Sequence, residues 1–335
     1  MTDKRPLKIA TRGSQLALWQ ANYVAGLLQN LGYPCELDII KTTGDRVQDR
    51  FLHEIGGKGL FVRELEEALR AGKADLAVHS LKDLPAKIPE GFTLAAILKR
   101  HIPHDALIFH PKTFARLSLS KQSILDRDAL EKLGPLTIAT ASLRRQSLLK
   151  ALKNPIHLVP VRGNVDTRIR KLNEGDWDGL ILAGASLERL SLQDLPHCLI
   201  DTNWFVPCAA QGALAIETTA DSPFRSVIAQ LNDPTTYACA TLERKVLELL
   251  GGDCTMPFGA YFAPQANGLH TGGQALVLDY EGEEVKCSFA FQQSPSQLDI
   301  EAKAQEIVAA LDQKGVATIL ERLKIKVPIL GKLSE

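Results

Sequence analysis

Two stretches of the chain share one hydrophobic pattern and one order of predicted elements. Apolar and polar residues alternate through Leu7–Thr11 and again through Leu136–Thr140, and this period of two predicts a short strand in each. A serine that can cap a helix follows each strand, Ser14 in the first stretch and Ser142 in the second. Apolar residues then recur at helical spacing, in the first stretch at Leu16, Trp19, Tyr23, Leu27 and Leu31. The pattern therefore predicts two similar α/β units.

A second pair of similar segments extends this repeat. Gly72–Asp75 precedes the apolar run Leu76–Val78, and Gly175–Asp178 precedes the apolar run Gly179–Ala183. Short strands that alternate with helices are typical of mostly parallel sheets, which bind ligands where strands end and helices begin. We therefore expect two facing α/β domains around a cleft lined with helix N-termini.

The pattern changes after residue 232. Asp233–Leu250 is predicted to be a capped helix that ends at a glycine. Two strand-like runs, 274–280 and 284–291, flank a turn at Glu281-Gly282, and helical runs follow. This order predicts a smaller α+β domain at the C-terminal end.

The loop Gly251–Gly259 lies between that helix and those strands and contains one cysteine, Cys254. Its glycines and its proline favour an irregular backbone that can hold the thiol out of the core and toward another surface. The alternative is that Cys254 is a small, partly buried apolar residue, as most lone cysteines are. Spacing alone leaves both interpretations open.

Composition restricts the classes of function. Lys plus Arg (39) equals Asp plus Glu (39) in 335 residues, so no overall field attracts nucleic acid or an anionic membrane. The N-terminus is charged, and no stretch is long enough to span a bilayer, which favours a cytoplasmic protein. The six cysteines are widely spaced, which favours reduced thiols over disulfides or a bound metal.

Local charge is more informative than the overall balance. Between Thr140 and Arg170 seven basic residues stand against one acid, Asp166. Arginine outnumbers lysine there, which suits bidentate recognition of carboxylates or phosphates. Arg12 likewise stands beside the predicted helix N-terminus at Ser14, where free N–H groups favour an anion. The alternative at each position is a solvated arginine on a helix surface.

Two further motifs lie in the first unit. The glycines of Gly56–Phe61 surround a lysine, but the spacing misses the phosphate-binding loop pattern, so a nucleotide site is not expected. His79–Pro85 (HSLKDLP) places polar side chains directly after a buried strand, where an open α/β sheet presents ligand-binding groups. A strand that simply turns at Pro85 is the alternative.

Taken together, these motifs resemble the porphobilinogen deaminase family, also called hydroxymethylbilane synthases. The resemblance is carried by segments 9–20 (IATRGSQLALWQ), 56–62 (GGKGLFV), 74–85 (ADLAVHSLKDLP), 140–146 (TASLRRQ), 162–169 (RGNVDTRI) and 241–259. It implies two periplasmic-binding-protein-like (type II) α/β domains around a cleft and a C-terminal α+β domain. It also implies the stepwise condensation of four porphobilinogen molecules onto a dipyrromethane cofactor with loss of ammonia, followed by hydrolytic release of hydroxymethylbilane.

The resemblance also implies roles for individual residues. Asp83 matches the catalytic carboxylate, and Cys254 matches the cysteine that carries dipyrromethane through a thioether. The positions that match cofactor binders are Ser80, Lys82, Asp83, Thr140, Ser142, Arg144 and Arg145. The positions that match binders of the substrate and the growing chain are Arg12, Ser14, Lys58, Arg162, Arg168 and Arg189. No metal is expected, and family members are typically monomers in the cytoplasm.

Domain boundaries and a few unusual positions complete the expectations. We expect domain 1 at 6–105 and 210–232, domain 2 at 106–209 and domain 3 at 233–335. The segment 111–134 is longer than usual, and four residues depart from the family pattern: His104, Ala210 in place of a glycine, Asp253 and Met256. A carboxylate at position 253 should raise the pKa of a neighbouring thiol and oppose formation of the thiolate.

Two other classes of protein are compatible with parts of the pattern. A non-catalytic two-domain anion-binding protein would share the cleft but needs neither the cysteine loop nor the 79–85 motif. A thiol-dependent transferase would use Cys254 directly, but no histidine in a recognisable nucleophile context accompanies it.

Overall fold

The computed structural model describes residues 5–43, 62–121, 123–253, 256–265 and 268–325. Contacts between Cα atoms divide the chain into two compact units, Met1–Arg100 with Ala213–Tyr237 and His101–Gly212 with Ala238–Glu335. Two residues predicted to belong to the site, Lys58 and Cys254, lie outside the described residues. The three sets of domain boundaries given above stay a prediction. None of the helices in the described ranges combines the length and the apolar character that a membrane span requires.

The first unit is built on a five-stranded sheet with the order β2-β1-β3-β11-β4. Its strands, numbered along the whole chain, are β1 (Leu7–Arg12), β2 (Cys35–Ile40), β3 (Leu76–Ser80), β4 (Phe92–Ile97) and β11 (Leu214–Thr219). Its helices include α1 (Gln15–Asn30), α2 (Arg63–Arg70) and α8 (Arg225–Ile228). Alternate residues of a strand point to opposite faces, and both faces of this sheet are apolar. Ile9 packs with α1, and Ala10 packs with α2.

The second unit contains a six-stranded sheet with the order β6-β10-β5-β9-β7-β8. Its strands are β5 (Asp105–Phe109), β6 (Ile124–Leu125), β7 (Leu136–Ala139), β8 (Ile156–Val159), β9 (Gly179–Ala183) and β10 (His197–Ile200). Its helices are α3 (Pro111–Arg116), α4 (Arg127–Lys132), α5 (Leu143–Lys150), α6 (Val165–Glu174) and α7 (Gly184–Arg189). The long polar segment 111–134 thus contributes α3, β6 and α4.

The predicted repeat is present in both sheets. Each copy of the repeat contains three strands, and the first of them lies between the other two in the sheet. The resulting orders are β2-β1-β3 in one sheet and β8-β7-β9 in the other. All four of these pairings are parallel. A capped helix follows each first strand, α1 after β1 and α5 after β7, with Ser14 and Ser142 at the caps. The prediction of two similar α/β units is confirmed.

The sheets are mostly parallel, as predicted, but each contains one strand that runs against the others. β11 runs antiparallel to β3 and β4, and β5 runs antiparallel to β9 and β10. In each sheet this antiparallel strand is the one that the chain enters from the other unit, without a helical crossover in its own unit. The hydrophobic pattern within a unit therefore does not indicate the direction of β5 or β11.

Among the described residues, a three-stranded antiparallel sheet and three helices form the rest of the second unit, although the first of these helices begins at residues assigned to the first unit. The strands are β12 (Phe258–Gln265), β13 (His270–Leu278) and β14 (Glu284–Phe291), and the helices are α9 (Pro234–Leu249), α10 (Ile300–Gln313) and α11 (Val316–Arg322). Phe262 and Val277 of the sheet share one apolar core with Val246, Ile307 and Ile319 of the helices. This arrangement confirms the predicted α+β segment, although β12 was not predicted as a strand.

The turn between β13 and β14 packs against the C-terminal end of α5. Gly282 has a φ of +94°, and a Cβ atom there would lie 2.7 Å from the Ala151 backbone nitrogen. The Lys150 Nζ donates a hydrogen bond of 2.7 Å to the carbonyl oxygen of Tyr280 in the same turn. Only a residue without a Cβ allows this approach. The α+β segment therefore holds α5 from its C-terminal end.

One non-glycine residue of the loop before β11 has a left-handed backbone. Ala210 has a φ of +62°, is fully buried, and donates its N–H to the Glu243 Oε2 at 2.6 Å. A left-handed conformation costs an L-residue roughly 1–2 kcal/mol, and glycine avoids that cost. The departure at position 210 therefore places an alanine where the backbone favours glycine.

We expect Ala210→Gly to raise the free energy of unfolding by about 1 kcal/mol, because strain relief outweighs the added freedom of the unfolded chain. Urea unfolding followed by circular dichroism measures this difference. Ala209→Gly is the matched control, since Ala209 is also buried but has no positive φ, and it should destabilise the protein. A loss of stability in Ala210→Gly equal to that of the control would contradict the prediction.

Candidate active site

A pocket in the first unit lies where β1 and β3 end and α1 begins. Arg12 is the last residue of β1, Ser14 caps α1, and Ser80 is the last residue of β3. These three residues and Asp83 line the pocket together with Leu16, Ala17, Gln20, Val62, Leu65, Val78 and His79. This is the edge at which parallel α/β sheets present ligand-binding groups. The structure therefore brings four of the predicted site residues to one place.

Hydrogen bonds fix the two serines in this pocket. The Ser14 Oγ accepts from the Ala17 backbone N–H at 3.3 Å, and the Ser80 Oγ accepts from the Gln20 Nε2 at 2.8 Å. Gln20 is almost fully buried on the face of α1 that otherwise packs into the core. Our sequence analysis did not identify Gln20, although a polar residue at an apolar position of a helix is a usable signal.

Asp83 lies in a short 3₁₀ turn, Leu81–Asp83, directly after β3. Leu81 fixes this turn, because its side chain is fully buried and its N–H donates to the carbonyl oxygen of Ala213 at 3.0 Å. Asp83 itself is exposed, and Lys82 beside it is half-buried. A rigid, buried residue thus holds an accessible carboxylate in the pocket.

Two buried titratable side chains, those of His79 and Glu217, lie close together beside this pocket. The His79 Nε2 and the Glu217 Oε2 are 3.0 Å apart, and both side chains are buried, although the geometry is not that of a hydrogen bond. Burial raises the pKa of the nearby Glu66, and the charge of Glu217 adds to this effect, while His79 opposes it. Sequence reasoning missed Glu217 and Glu66, because they come from distant segments with no motif in common.

The N-terminus of α5 in the second unit repeats the geometry found at α1. The Ser142 Oγ accepts from the Arg145 backbone N–H at 3.5 Å. Thr140 is almost fully buried, and its Oγ1 accepts from the Ser142 backbone N–H at 3.2 Å. The Gln146 Nε2 donates to the carbonyl oxygen of Thr140 at 3.0 Å. These contacts hold a helix N-terminus, with its partial positive charge, at the end of β7.

Arg144 and Arg145 lie at this helix end, and both are buried. They share one carboxylate, that of Asp105, which sequence reasoning missed. The Arg144 Nη2 is 2.8 Å from the Asp105 Oδ2, and the Arg145 Nη2 is 2.6 Å from the Asp105 Oδ1. The Arg144 Nη1 also donates to the carbonyl oxygen of Val206 at 2.7 Å, and the Arg145 Nη1 to that of Ile181 at 3.0 Å. The two guanidinium groups therefore have fixed positions.

The other predicted arginines lie elsewhere in the second unit. Arg162 and Arg168 are half-buried in the segment from β8 into α6, and the Arg168 Nε donates to the carbonyl oxygen of Gly163 at 2.7 Å. Arg189, the last residue of α7, is 3% exposed, and its Nη2 donates to the carbonyl oxygen of Gly212 at 2.8 Å. The structure thus groups Thr140, Ser142, Arg144 and Arg145 at one helix end, whereas Arg162, Arg168 and Arg189 belong to other elements of the same unit.

Three of the five described cysteines have thiols that stay protonated. Burial raises the pKa of the Cys35 thiol to about 11, with a smaller contribution from the charge of Asp75. Burial likewise raises the pKa of Cys198 and of Cys287. Thiols of this kind are poor nucleophiles near neutral pH, because the thiolate is the reactive form.

Comparison with known proteins identifies the family. A model described as "Porphobilinogen deaminase, dipyromethane cofactor binding domain" matches residues 7–225. A porphobilinogen deaminase of Paraburkholderia phytofirmans is 40% identical over 326 residues, which cover 96% of this chain and 90% of that protein. A porphobilinogen deaminase of Sulfurimonas denitrificans is 41% identical over 322 residues, which cover 95% and 97%.

Solved structures align more distantly. The periplasmic aliphatic sulphonate binding protein of Escherichia coli aligns with 12% identity and a TM-score of 0.35, over 73% of this chain and 70% of that one. The family model and the curated relatives, rather than this distant alignment, decide the assignment. The chain belongs to the porphobilinogen deaminase family.

Proposed function

We propose that this chain is a hydroxymethylbilane synthase, a transferase of tetrapyrrole and haem biosynthesis. It joins four porphobilinogen molecules head to tail onto a dipyrromethane linked to Cys254, releases one ammonia for each, and frees hydroxymethylbilane by hydrolysis. The main support for this proposal is the accessible Asp83 carboxylate, which lines one pocket with Arg12 and Ser14. The buried Leu81 anchors the turn that holds it.

The pocket offers complementary groups to a pyrrole that carries two carboxylates. Arg12 and the N-terminus of α1 supply positive charge for an acetate or propionate side chain of porphobilinogen. Asp83 supplies a negative charge for the ring N–H. In each condensation the bond from the methylene carbon to the amino nitrogen breaks, and positive charge develops on the ring nitrogen. A fixed carboxylate at that position lowers the energy of the charged state.

The helix end in the second unit fits a carboxylate-bearing cofactor. Ser142 and Thr140 lie at the N-terminus of α5, and the Arg144 Nε is buried without a hydrogen-bond partner in the part of the chain that the structure describes. We assign these residues, with Arg145, Ser80 and Lys82, to binding of the cofactor carboxylates. When bound, dipyrromethane supplies the free ring carbon to which the first substrate is joined. In each condensation the free ring carbon of the terminal pyrrole would lose the proton that the new carbon–carbon bond replaces, and this proton balances the ammonia released, as ammonium.

Cys254 is the attachment residue in this proposal. Its position matches the family motif, and the raised pKa values of Cys35, Cys198 and Cys287 make those thiols poor competitors. We also propose that the chain acts as a cytoplasmic monomer that binds neither nucleic acid nor membrane. The balanced charge of the sequence and the free thiols of the described cysteines support this part of the proposal.

Arg162→Leu and Arg168→Leu should give protein that carries the cofactor but stalls during elongation. Loss of one charge-assisted contact to a substrate carboxylate should weaken binding by roughly 1.5–3 kcal/mol. Intact mass after incubation with porphobilinogen should show a ladder of bound intermediates that persists. Arg170→Leu is the control, because Arg170 lies on the same helix as Arg168 but is exposed and pairs with Glu174. If Arg162→Leu and Arg168→Leu turned over as fast as the control, neither arginine would belong to the substrate-binding site.

The proposed function is tested by incubating the purified full-length protein with porphobilinogen. We expect one ammonia to be released for each porphobilinogen consumed, and a linear tetrapyrrole to accumulate. Binding of porphobilinogen without release of ammonia would instead indicate a non-catalytic anion-binding protein. Turnover that persists after Cys254 is replaced would exclude the covalent cofactor.

A further inference from the structure

Asp105 is the common partner of the two arginines at the N-terminus of α5. It is the first residue of β5, and its side chain is fully buried. Its Oδ2 accepts from the Arg144 Nη2 at 2.8 Å, and its Oδ1 accepts from the Arg145 Nε at 2.9 Å. The same Oδ1 accepts from the Gln211 Nε2 at 3.2 Å, and that nitrogen also donates to the carbonyl oxygen of Pro103 at 2.7 Å. A strand, a helix and a loop thus meet at one carboxylate.

The charges of this group do not balance. Arg144 and Arg145 bring two positive charges, and Asp105 brings one negative charge, so the group of three has one net positive charge. Two buried cations side by side repel each other, and the carboxylate between them opposes that repulsion. The ring of Phe205 lies 5.7 Å from the Arg144 Cζ and adds a weaker attraction for the same cation.

We propose that Asp105 is a positioning residue for cofactor loading, because it holds both guanidinium groups at the N-terminus of α5. This inference rests on the proposed function, in which that helix end binds cofactor carboxylates. With Asp105 in place, Arg144 and Arg145 form one preorganised unit whose remaining positive charge attracts an anion. Without it, each guanidinium loses a partner and the pair separates.

If only the net charge of the three residues mattered, removal of the Asp105 carboxylate would increase cofactor loading rather than reduce it. Removal of the Asp105 charge raises the net charge of the group from one to two, which by Coulomb's law favours an anionic cofactor. Preorganisation predicts weaker loading, because the two arginines must then be ordered when the cofactor binds. The sign of the effect therefore distinguishes positioning from a simple contribution of charge.

Two substitutions at position 105 separate the effect on loading from the effect on stability. Asp105→Asn keeps the size of the side chain and removes its charge, whereas Asp105→Glu keeps the charge and adds a methylene to a fully buried position. If Asp105 acts by positioning, loading should follow the charge, with more adduct in the Glu variant than in the Asn variant. A structural role alone would make loading follow the measured free energy of unfolding, so that variants destabilised to the same extent would load to the same extent, whatever residue was changed.

Asp178→Asn is the matched control, since Asp178 directly precedes β9 of the same sheet and is also hydrogen-bonded. The Asp178 carboxylate accepts from the Thr113 Oγ1 at 2.9 Å and from the Thr137 backbone N–H at 2.9 Å, and it contacts neither Arg144 nor Arg145. Its loss should lower stability and leave cofactor loading unchanged. Each full-length protein is purified in folded form. Intact mass gives the fraction of chains that carry dipyrromethane, and urea unfolding gives the free energy of unfolding.

We expect the adduct fraction of folded Asp105→Asn to fall by about tenfold relative to the wild type, with a smaller fall in Asp105→Glu. Wild-type or higher loading of the Asn variant would overturn the proposal, and so would loading that follows stability across the variants. If Asp105→Asn does not fold, Gln211→Leu is the alternative test, because it removes the hydrogen bond from Gln211 to Asp105. Reduced cofactor loading of this variant would support the proposal, and unchanged loading would overturn it. An unloaded, inactive wild type would instead remove the proposed function itself.

Discussion

Replacing Cys254 by Ser is expected to remove the covalent cofactor and nearly all turnover. A hydroxyl is a far weaker nucleophile than a thiol toward the methylene carbon of a pyrrole, so the thioether has no comparable substitute. Without a cofactor fixed to the chain, the growing product has no point of attachment. Intact mass should show a bare chain in the Ser variant, and the release of ammonia from porphobilinogen should fall to background.

Cys35→Ser is the matched control for this substitution. Cys35 is half-buried in the first unit, and its raised pKa keeps the thiol protonated, so its loss should change neither the adduct nor the rate. An adduct that persists on Cys254→Ser would show that another residue carries the cofactor. Loss of the adduct in Cys35→Ser would likewise contradict the assignment.

Asp83→Asn should reduce turnover by about two to four powers of ten while the fold and the bound cofactor persist. The amide keeps the shape and one hydrogen-bond acceptor but lacks the charge that stabilises a pyrrole-derived cation. Because Asp83 is exposed, little stability should be lost. The direct measurement is single-turnover release of ammonia by cofactor-loaded protein.

Two further variants define the role of Asp83. Asp83→Glu should retain part of the activity, since the charge remains but lies one methylene away from its best position. Lys82→Met should lower the cofactor content rather than the rate of the chemical step, because Lys82 is assigned to a cofactor carboxylate. Release of ammonia by Asp83→Asn at the wild-type rate would remove Asp83 from the mechanism.

Much of the fold could be predicted from local pattern. The alternation in Leu7–Thr11 and Leu136–Thr140, each followed by a capping serine, predicted β1 with α1 and β7 with α5. These signals are local, since a strand, a cap and the first turns of a helix are determined by neighbouring residues. The same pattern placed Arg12 and Ser14 after one strand and Ser80 and Asp83 after another, but it did not predict that all four would line one pocket.

The missed residues have in common that their partners are distant in the sequence. Asp105 binds Arg144 and Arg145, and Glu217 lies beside His79, so neither acid belongs to a local motif. Each carboxylate lies within a mainly apolar strand, where a charged residue could have been noticed but its partner could not. The direction of β5 and β11 was missed for the same reason, because long-range pairing determines it.

For Arg144 and Arg145, the sequence allowed a prediction of cofactor binding but not of their contribution to stability. Their match to a cofactor-binding motif was visible in the sequence, but their burial and shared carboxylate were not. Burial changes the expected effect of substitution. Arg144→Leu removes the charge-assisted hydrogen bond to the buried Asp105, which stays paired with Arg145. The substitution should therefore lower the free energy of unfolding by roughly 1.5–3 kcal/mol and lower the cofactor content as well.

The proposed function requires that Cys254 carries a dipyrromethane on which porphobilinogen is assembled. Its most direct test is mass spectrometry of the purified full-length protein before and after incubation with porphobilinogen, with the modified residue located by peptide mapping. We expect an adduct of two pyrrole units on the peptide that contains Cys254, and a ladder of added pyrrole units once substrate is present. A bare Cys254 thiol under both conditions, with no consumption of porphobilinogen, would contradict it.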